Sequence, residues 1–62
     1  NMTQRQQKVI EYLKGKDFTS PTEIGSDLFG GHSSTASPIC LKLVELGVLV
    51  RNAKGHYKLK GK

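Results

Sequence analysis

The sequence predicts a mainly α domain with a small β-hairpin: helix, short extended segment, helix, helix, and then two strands. Three observations carry this. Hydroxyl residues followed three positions later by Gln or Glu mark helix starts at Thr3 and Ser20. The stretch 33–47, SSTASPICLKLVELG, has a hydroxyl-rich opening, an apolar stripe at helical spacing and a glycine stop. After Gly47 the apolar period changes to two, with VLVR and HYKLK on either side of a Lys-Gly turn.

All 62 residues are read as one domain, 1–62. A chain of this size buries only about 60% of its unfolded surface, so one small core must be shared by every element. The first helix is expected from Thr3 to about Lys14, with Thr3 and Gln6 in the capping-box arrangement and Gly15 as the stop. Gln6, Val9, Ile10 and Leu13 share its inner face, and Lys14 and Lys16 suit the negative end of its dipole. Tyr12 lies off that stripe, at the rim. Phe18, Thr19 and Ser20 form an extended link, in which Phe18 is expected to plug the core. Ser20 then caps a helix of about eight residues, with Pro21 at its first position and Glu23 three residues after the cap. That helix buries Ile24 and Leu28, and Phe29 packs where it ends. Gly30 and Gly31 form the next turn; no GxxxxGK or GxGxxG pattern surrounds them, so they are not a phosphate loop. His32 is read as a turn residue or the neighbour of a phosphate.

The third helix, about 34–46, takes Ser33 or Ser34 as its cap and Gly47 as its left-handed terminator. At roughly 100° per residue, Ala36, Cys40, Leu43 and Gly47 form its buried face, flanked by Ile39, Val44 and Leu46. Ser34, Thr35, Pro38, Lys42 and Glu45 face outward. An interior proline costs about 3 kcal/mol, and Pro38 is tolerable if it sits at the edge of the first turn. An alternative start has Ser37 as cap and Pro38 as the first helical residue. The earlier start is preferred because it brings Ala36 into the stripe.

In the hairpin, Tyr57 and Leu59 should face one side and His56, Lys58 and Lys60 the other. Ten Lys and Arg against five Asp and Glu give a net charge of +5 and a pI near 9.7. No acid follows Glu45, whereas Arg51, Lys54, Lys58, Lys60 and Lys62 do. Charge gathered at one end of so small a domain points to a polyanionic partner.

Helix, extended link, helix, glycine turn, hydroxyl-started helix and hairpin together resemble the winged helix-turn-helix domain of bacterial and archaeal transcription regulators, broadly MarR-like and ArsR-like. The resemblance rests on 21–25, PTEIG, opening the second helix; on Ser34-Thr35-Ala36-Ser37; on Leu43 and the LGVLVR passage 46–51; and on Gly55-His56-Tyr57 in the hairpin. It implies a three-helix winged helix-turn-helix whose third helix enters the major groove of double-stranded DNA. The hairpin, 48–60, would be a basic wing on the backbone or minor groove. Carried over by position, the implied DNA-binding residues are Ser33, Ser34, Thr35, Ser37, Pro38 and Lys42 on the helix, and Arg51, Lys54, His56, Lys58 and Lys60 on the wing. Pro38 and Ile39 stand where such regulators commonly carry arginine, histidine or glutamine, and Leu41 stands where a polar residue is usual, which argues against high sequence specificity. Regulators usually engage two half-sites, so a homodimer or a larger protein partner is expected; no dimerisation helix is expected after the hairpin. The branch that binds left-handed nucleic acid has a tryptophan in its wing and an asparagine-tyrosine recognition pair, and neither is present here.

No enzymatic chemistry is legible. His32, Cys40 and His56 match no zinc spacing, and no metal or other cofactor is expected. The serines lack a histidine and acid constellation, and the carboxylates show no paired spacing. Cys40 is read as a small buried hydrophobe. A single cysteine excludes an internal disulfide and fits a reducing cytoplasm. Neither a signal peptide nor a membrane-spanning run is present, and Met2 is expected to be the native start with Asn1 a remnant ahead of it. The competing functions are a protein-interaction module within a larger assembly and RNA binding. For the first of these, Leu41 and Val44 would form an exposed apolar patch, although packing against the first helix or the hairpin is the preferred expectation for both.

Overall fold

The computed structural model describes residues 2–61 and contains three helices followed by a two-stranded antiparallel sheet. Asn1 and Lys62 lie outside the described residues. Helix α1 spans Gln4–Leu13, and Thr3 caps it with a full reciprocal box. Thr3 Oγ1 accepts from the Gln6 N–H at 3.1 Å, while Gln6 Oε1 accepts from the Thr3 N–H at 2.9 Å. Helix α2 spans Pro21–Leu28, with Ser20 Oγ accepting from the Glu23 N–H at 3.1 Å and Pro21 in the first turn. Gly30 and Gly31, at φ +62° and +92°, turn the chain into the third helix.

Helix α3 spans Ser33–Glu45, and its start corrects the sequence reading. His32 is the N-cap, it makes no side-chain cap hydrogen bond, and Ser33 and Ser34 are already inside the helix. The cause is tertiary. Gly25 of α2 lies so close that a Cβ there would sit 2.7 Å from Ser33 N and 2.8 Å from the His32 carbonyl atoms. Packing against α2, rather than a hydroxyl cap, decides where α3 begins. Pro38 consequently lies in the second turn, inside the helix, and not at the edge of the first.

The other end of α3 follows the sequence. Gly47 is left-handed at φ +81°, its N–H donates to Val44 O at 3.0 Å, and the Val48 N–H donates to Leu43 O at 2.9 Å. This pair of bonds is the Schellman motif, with Val48 packed back on the core. Gly47 itself is exposed, so the buried face is Ala36, Cys40 and Leu43 without it.

Strands β1, Leu49–Arg51, and β2, Tyr57–Leu59, pair with Leu49 opposite Leu59 and Arg51 opposite Tyr57. Asn52 organises the turn: its Oδ1 accepts from the N–H groups of Lys54 at 3.0 Å and His56 at 2.9 Å, and Gly55 takes φ +80°. The extended link before α2 contributes a single β-bridge, in which Thr19 and Tyr57 exchange two backbone hydrogen bonds of 2.8 and 2.9 Å. A longer third strand is blocked because Ser20 and Pro21 must begin α2 at once, and Pro21 has no N–H to give to a ladder.

Val9, Leu13, Ile24, Ala36, Cys40, Leu43, Leu49 and Tyr57 form the core, so every element contributes. Phe18 does not: it is 39% exposed, and the buried residue of the link is Thr19. Successive side chains of an extended segment point to opposite sides, and the bridge to Tyr57 sends Thr19 inward and Phe18 outward.

Two substitutions test this arrangement. Leu43→Ala should destabilise the domain by about 2–5 kcal/mol, measured by chemical denaturation, because a fully buried leucine leaves a cavity. A loss below about 1 kcal/mol would mean that α3 presents another face to the core. Gly25→Ala tests a balance of opposite signs. Helix propensity alone favours alanine by about 1 kcal/mol, whereas overpacking against a backbone that cannot yield costs about 1–3 kcal/mol. We expect a net loss of stability; a gain would show that α2 and α3 separate without cost.

Candidate nucleic-acid interface

The sequence-predicted site residues fall on two surfaces. On α3, Ser34, Pro38 and Lys42 are exposed, while Ser33, Thr35 and Ser37 are half-buried. Ser34, Pro38, Leu41 and Glu45 follow the alternating four- and three-residue spacing of one helix face, and all four are exposed. The first turn of α3 closes through the Thr35 N–H to His32 O at 3.0 Å, with no side chain capping the amides before it. Lys42 does not stand alone on this face: its Nζ lies 3.2 Å from Glu45 Oε1. The three-residue spacing of that pair on one helix was legible in the sequence.

On the hairpin, Arg51, Lys54 and Lys60 are exposed and have no carboxylate within 4.0 Å among the described residues. The Arg51 guanidinium lies alongside Gly55, where a Cβ would come within 3.3 Å of it. Lys60 extends the strand pairing through its N–H to Val48 O at 3.0 Å. His56 is half-buried, its N–H held by Asn52.

Lys58 differs from the other predicted wing cations. Its ammonium lies 3.8 Å from Asp17 Oδ1 and 5.5 Å from the centre of the Phe18 ring, so it packs over the extended link. Lys58 and Phe18 both point away from the core, each one step from the Thr19–Tyr57 bridge. Sequence reasoning missed this cluster because it requires the register between the link and β2, and no local spacing reports that register.

Leu41, expected to pack against the first helix or the hairpin, and Leu46, read as flanking the buried face, both correct the sequence reading. They are 50% and 51% exposed, whereas Val44 is half-buried against the core. Leu46 borders a shallow cleft with Met2, Thr3, Gln6, Lys42 and Val48. Tyr12 is at the rim, where its hydroxyl donates to Asp27 Oδ2 at 2.5 Å and joins α1 to α2. That hydrogen bond, together with burial, pushes the Tyr12 phenol up to about 12.

Among the described residues no three His, Cys, Asp or Glu side chains converge on a point that could hold a metal ion, and no helix is long and apolar enough to cross a membrane. Cys40 is fully buried, and burial pushes its thiol up to about 11. No family model, curated protein sequence or solved structure matches this chain. The surfaces described above therefore carry the functional argument by themselves.

Cys40 provides a check on the inward face of α3. A soluble disulfide reagent at pH 8 should react with it only as fast as the domain opens, so the rate should rise steeply with denaturant. A native-state rate close to that of an unfolded thiol would place Cys40 at the surface.

Proposed function

We propose that this chain is a winged helix-turn-helix domain that binds double-stranded DNA. In this reading α3 enters the major groove, and the 49–59 hairpin is a wing on the phosphate backbone or in the minor groove. The domain acts in transcription regulation in the cytoplasm and is not an enzyme.

The observation that carries the reading is the state of the hairpin cations. Arg51 and Lys54 at the turn end of the hairpin and Lys60 at its base, opposite Val48, are exposed and without an acidic partner among the described residues. Neighbouring like charges repel, and a polyanion reverses that cost by releasing its condensed counterions. Three further features support the reading. The order of elements is that of the resemblance, with the Thr19–Tyr57 bridge standing in for the first strand of a three-stranded sheet. The first turn of α3 has no side-chain cap hydrogen bond, and the start of a helix favours negative charge nearby. With extents of 31 × 28 × 20 Å, the domain is shorter than the roughly 34–36 Å of one duplex turn, so one copy covers one half-site.

A second reading has its own observation. Leu41 on α3 and Leu46 at its C-cap are each about half exposed, as on a protein-docking surface.

Salt titration separates the two. If Arg51, Lys54 and Lys60 each meet a phosphate, log K should fall against log salt with a slope of about −3, from about −0.9 for each phosphate neutralised. Replacing Lys54 and Lys60 by glutamine should make the slope shallower by about 2 and weaken all duplexes equally, because phosphate contacts carry no base information. Identical slopes for parent and double variant would remove the wing from the backbone and leave protein docking as the better account.

A further inference from the structure

The outward strip of α3 has an unusual chemistry for a surface that meets nucleic acid. Ser34, Pro38, Leu41, Lys42 and Glu45 are exposed, and Thr35 is half-buried beside them. The strip has no arginine, asparagine or glutamine, the side chains whose paired hydrogen bonds read guanine and adenine. Its one cation, Lys42, is engaged by Glu45 at 3.2 Å. What remains is a pair of small hydroxyls, a proline ring and a leucine that leaves 50% of its surface to solvent.

Such a surface has one counterpart among base edges. In the major groove the only apolar group is the C5-methyl of a pyrimidine, carried by thymine and by 5-methylcytosine. Ser34, Pro38 and Leu41 share one face through the four- and three-residue spacing, so a ring and a branched side chain stand side by side with a hydroxyl one turn before them. The charge that would bring a polyanion to the domain is on the hairpin that follows this helix, in Arg51, Lys54 and Lys60, which have no acidic partner among the described residues.

We propose that α3 reads 5-methylpyrimidines in duplex DNA, with Leu41 and Pro38 covering C5-methyl groups and the Ser34 and Thr35 hydroxyls pairing with polar base edges beside them. This rests on the DNA-binding reading and names the base feature that the same face recognises. Discrimination comes from methyl groups covered or left bare, so the domain prefers methyl-rich duplexes over a single fixed sequence.

The test uses the whole chain in low-salt titrations against short random-sequence duplexes prepared with thymine or with uracil, which differ only in the C5-methyl. Uracil should weaken binding by about fourfold for each methyl covered. Leu41→Ala, at an exposed helical position, should lower the preference for thymine over uracil by about the fourfold that one covered methyl carries, while keeping the parent melting temperature and salt slope. A second pair of pools, containing only G·C pairs with cytosine or 5-methylcytosine, identifies the source. A gain on methylation includes 5-methylcytosine, whereas no gain there with a loss on uracil assigns the ligand to thymine. Equal affinity of the parent for thymine and uracil pools overturns this inference and leaves DNA binding standing. Failure to bind any duplex at low salt overturns DNA binding itself, and the inference with it.

Discussion

The outer surface of this domain depends on how closely α2 can approach the first residues of α3, and the absence of one carbon atom at Gly25 sets that distance. With the α2 backbone against His32 and Ser33, the start of α3 is fixed by contact and needs no side-chain cap. The rotation of the helix about its axis follows. Ala36, Cys40 and Leu43 turn inward onto Val9, Leu13 and Ile24, and the opposite strip is left facing out. Among the described residues the core is eight side chains, with no reserve to absorb a different rotation, because close-packed interiors resist even a methylene of change.

The hairpin obeys a similar economy of contacts. Strands of three residues would be marginal alone, since an isolated two-stranded ribbon has little apolar surface to bury. Leu49 and Tyr57 anchor it in the core, Thr19 adds a backbone bridge, and Asn52 holds the turn with two side-chain bonds. The hairpin cations are therefore presented from a fixed platform. Asp17 draws Lys58 back toward the link, so the net charge of the hairpin is directed through Arg51, Lys54 and Lys60.

Most of the fold was legible because its punctuation is local. Thr3 with Gln6, Ser20 with Pro21 and Glu23, and Gly47 each act within one turn of the chain, and helical spacing was enough to select Ala36, Cys40 and Leu43. Failures came where contact at a distance overrode a local preference. Ser33 and Ser34 are good caps in isolation, but α2 occupies the approach; Phe18 is a good core residue, but the register with Tyr57 turns it out. At the candidate site, the identity of the charged residues could be read from the chain, whereas the partner of Lys58 could not: the Lys58 and Asp17 pair spans the link and β2. The Lys42 and Glu45 pair was readable from spacing alone. Winged-helix identity and DNA binding stand as the proposal that these surfaces support.

Pro38 makes the two halves of α3 mechanically unequal. It removes the amide that would bond Ser34 O, and the turn before it has no side-chain cap, so the N-terminal half is held by fewer bonds than a regular helix of its length. The C-terminal half has the Schellman lock and the buried Cys40 and Leu43. Amide protection should therefore be lowest in the turn that Pro38 interrupts and highest at residues 40–46, while contact with α2 holds His32 and Ser33 in place. The outward turn around Ser34 and Pro38 is then the compliant part of the helix, between a start held by α2 and a C-terminal half held by the core.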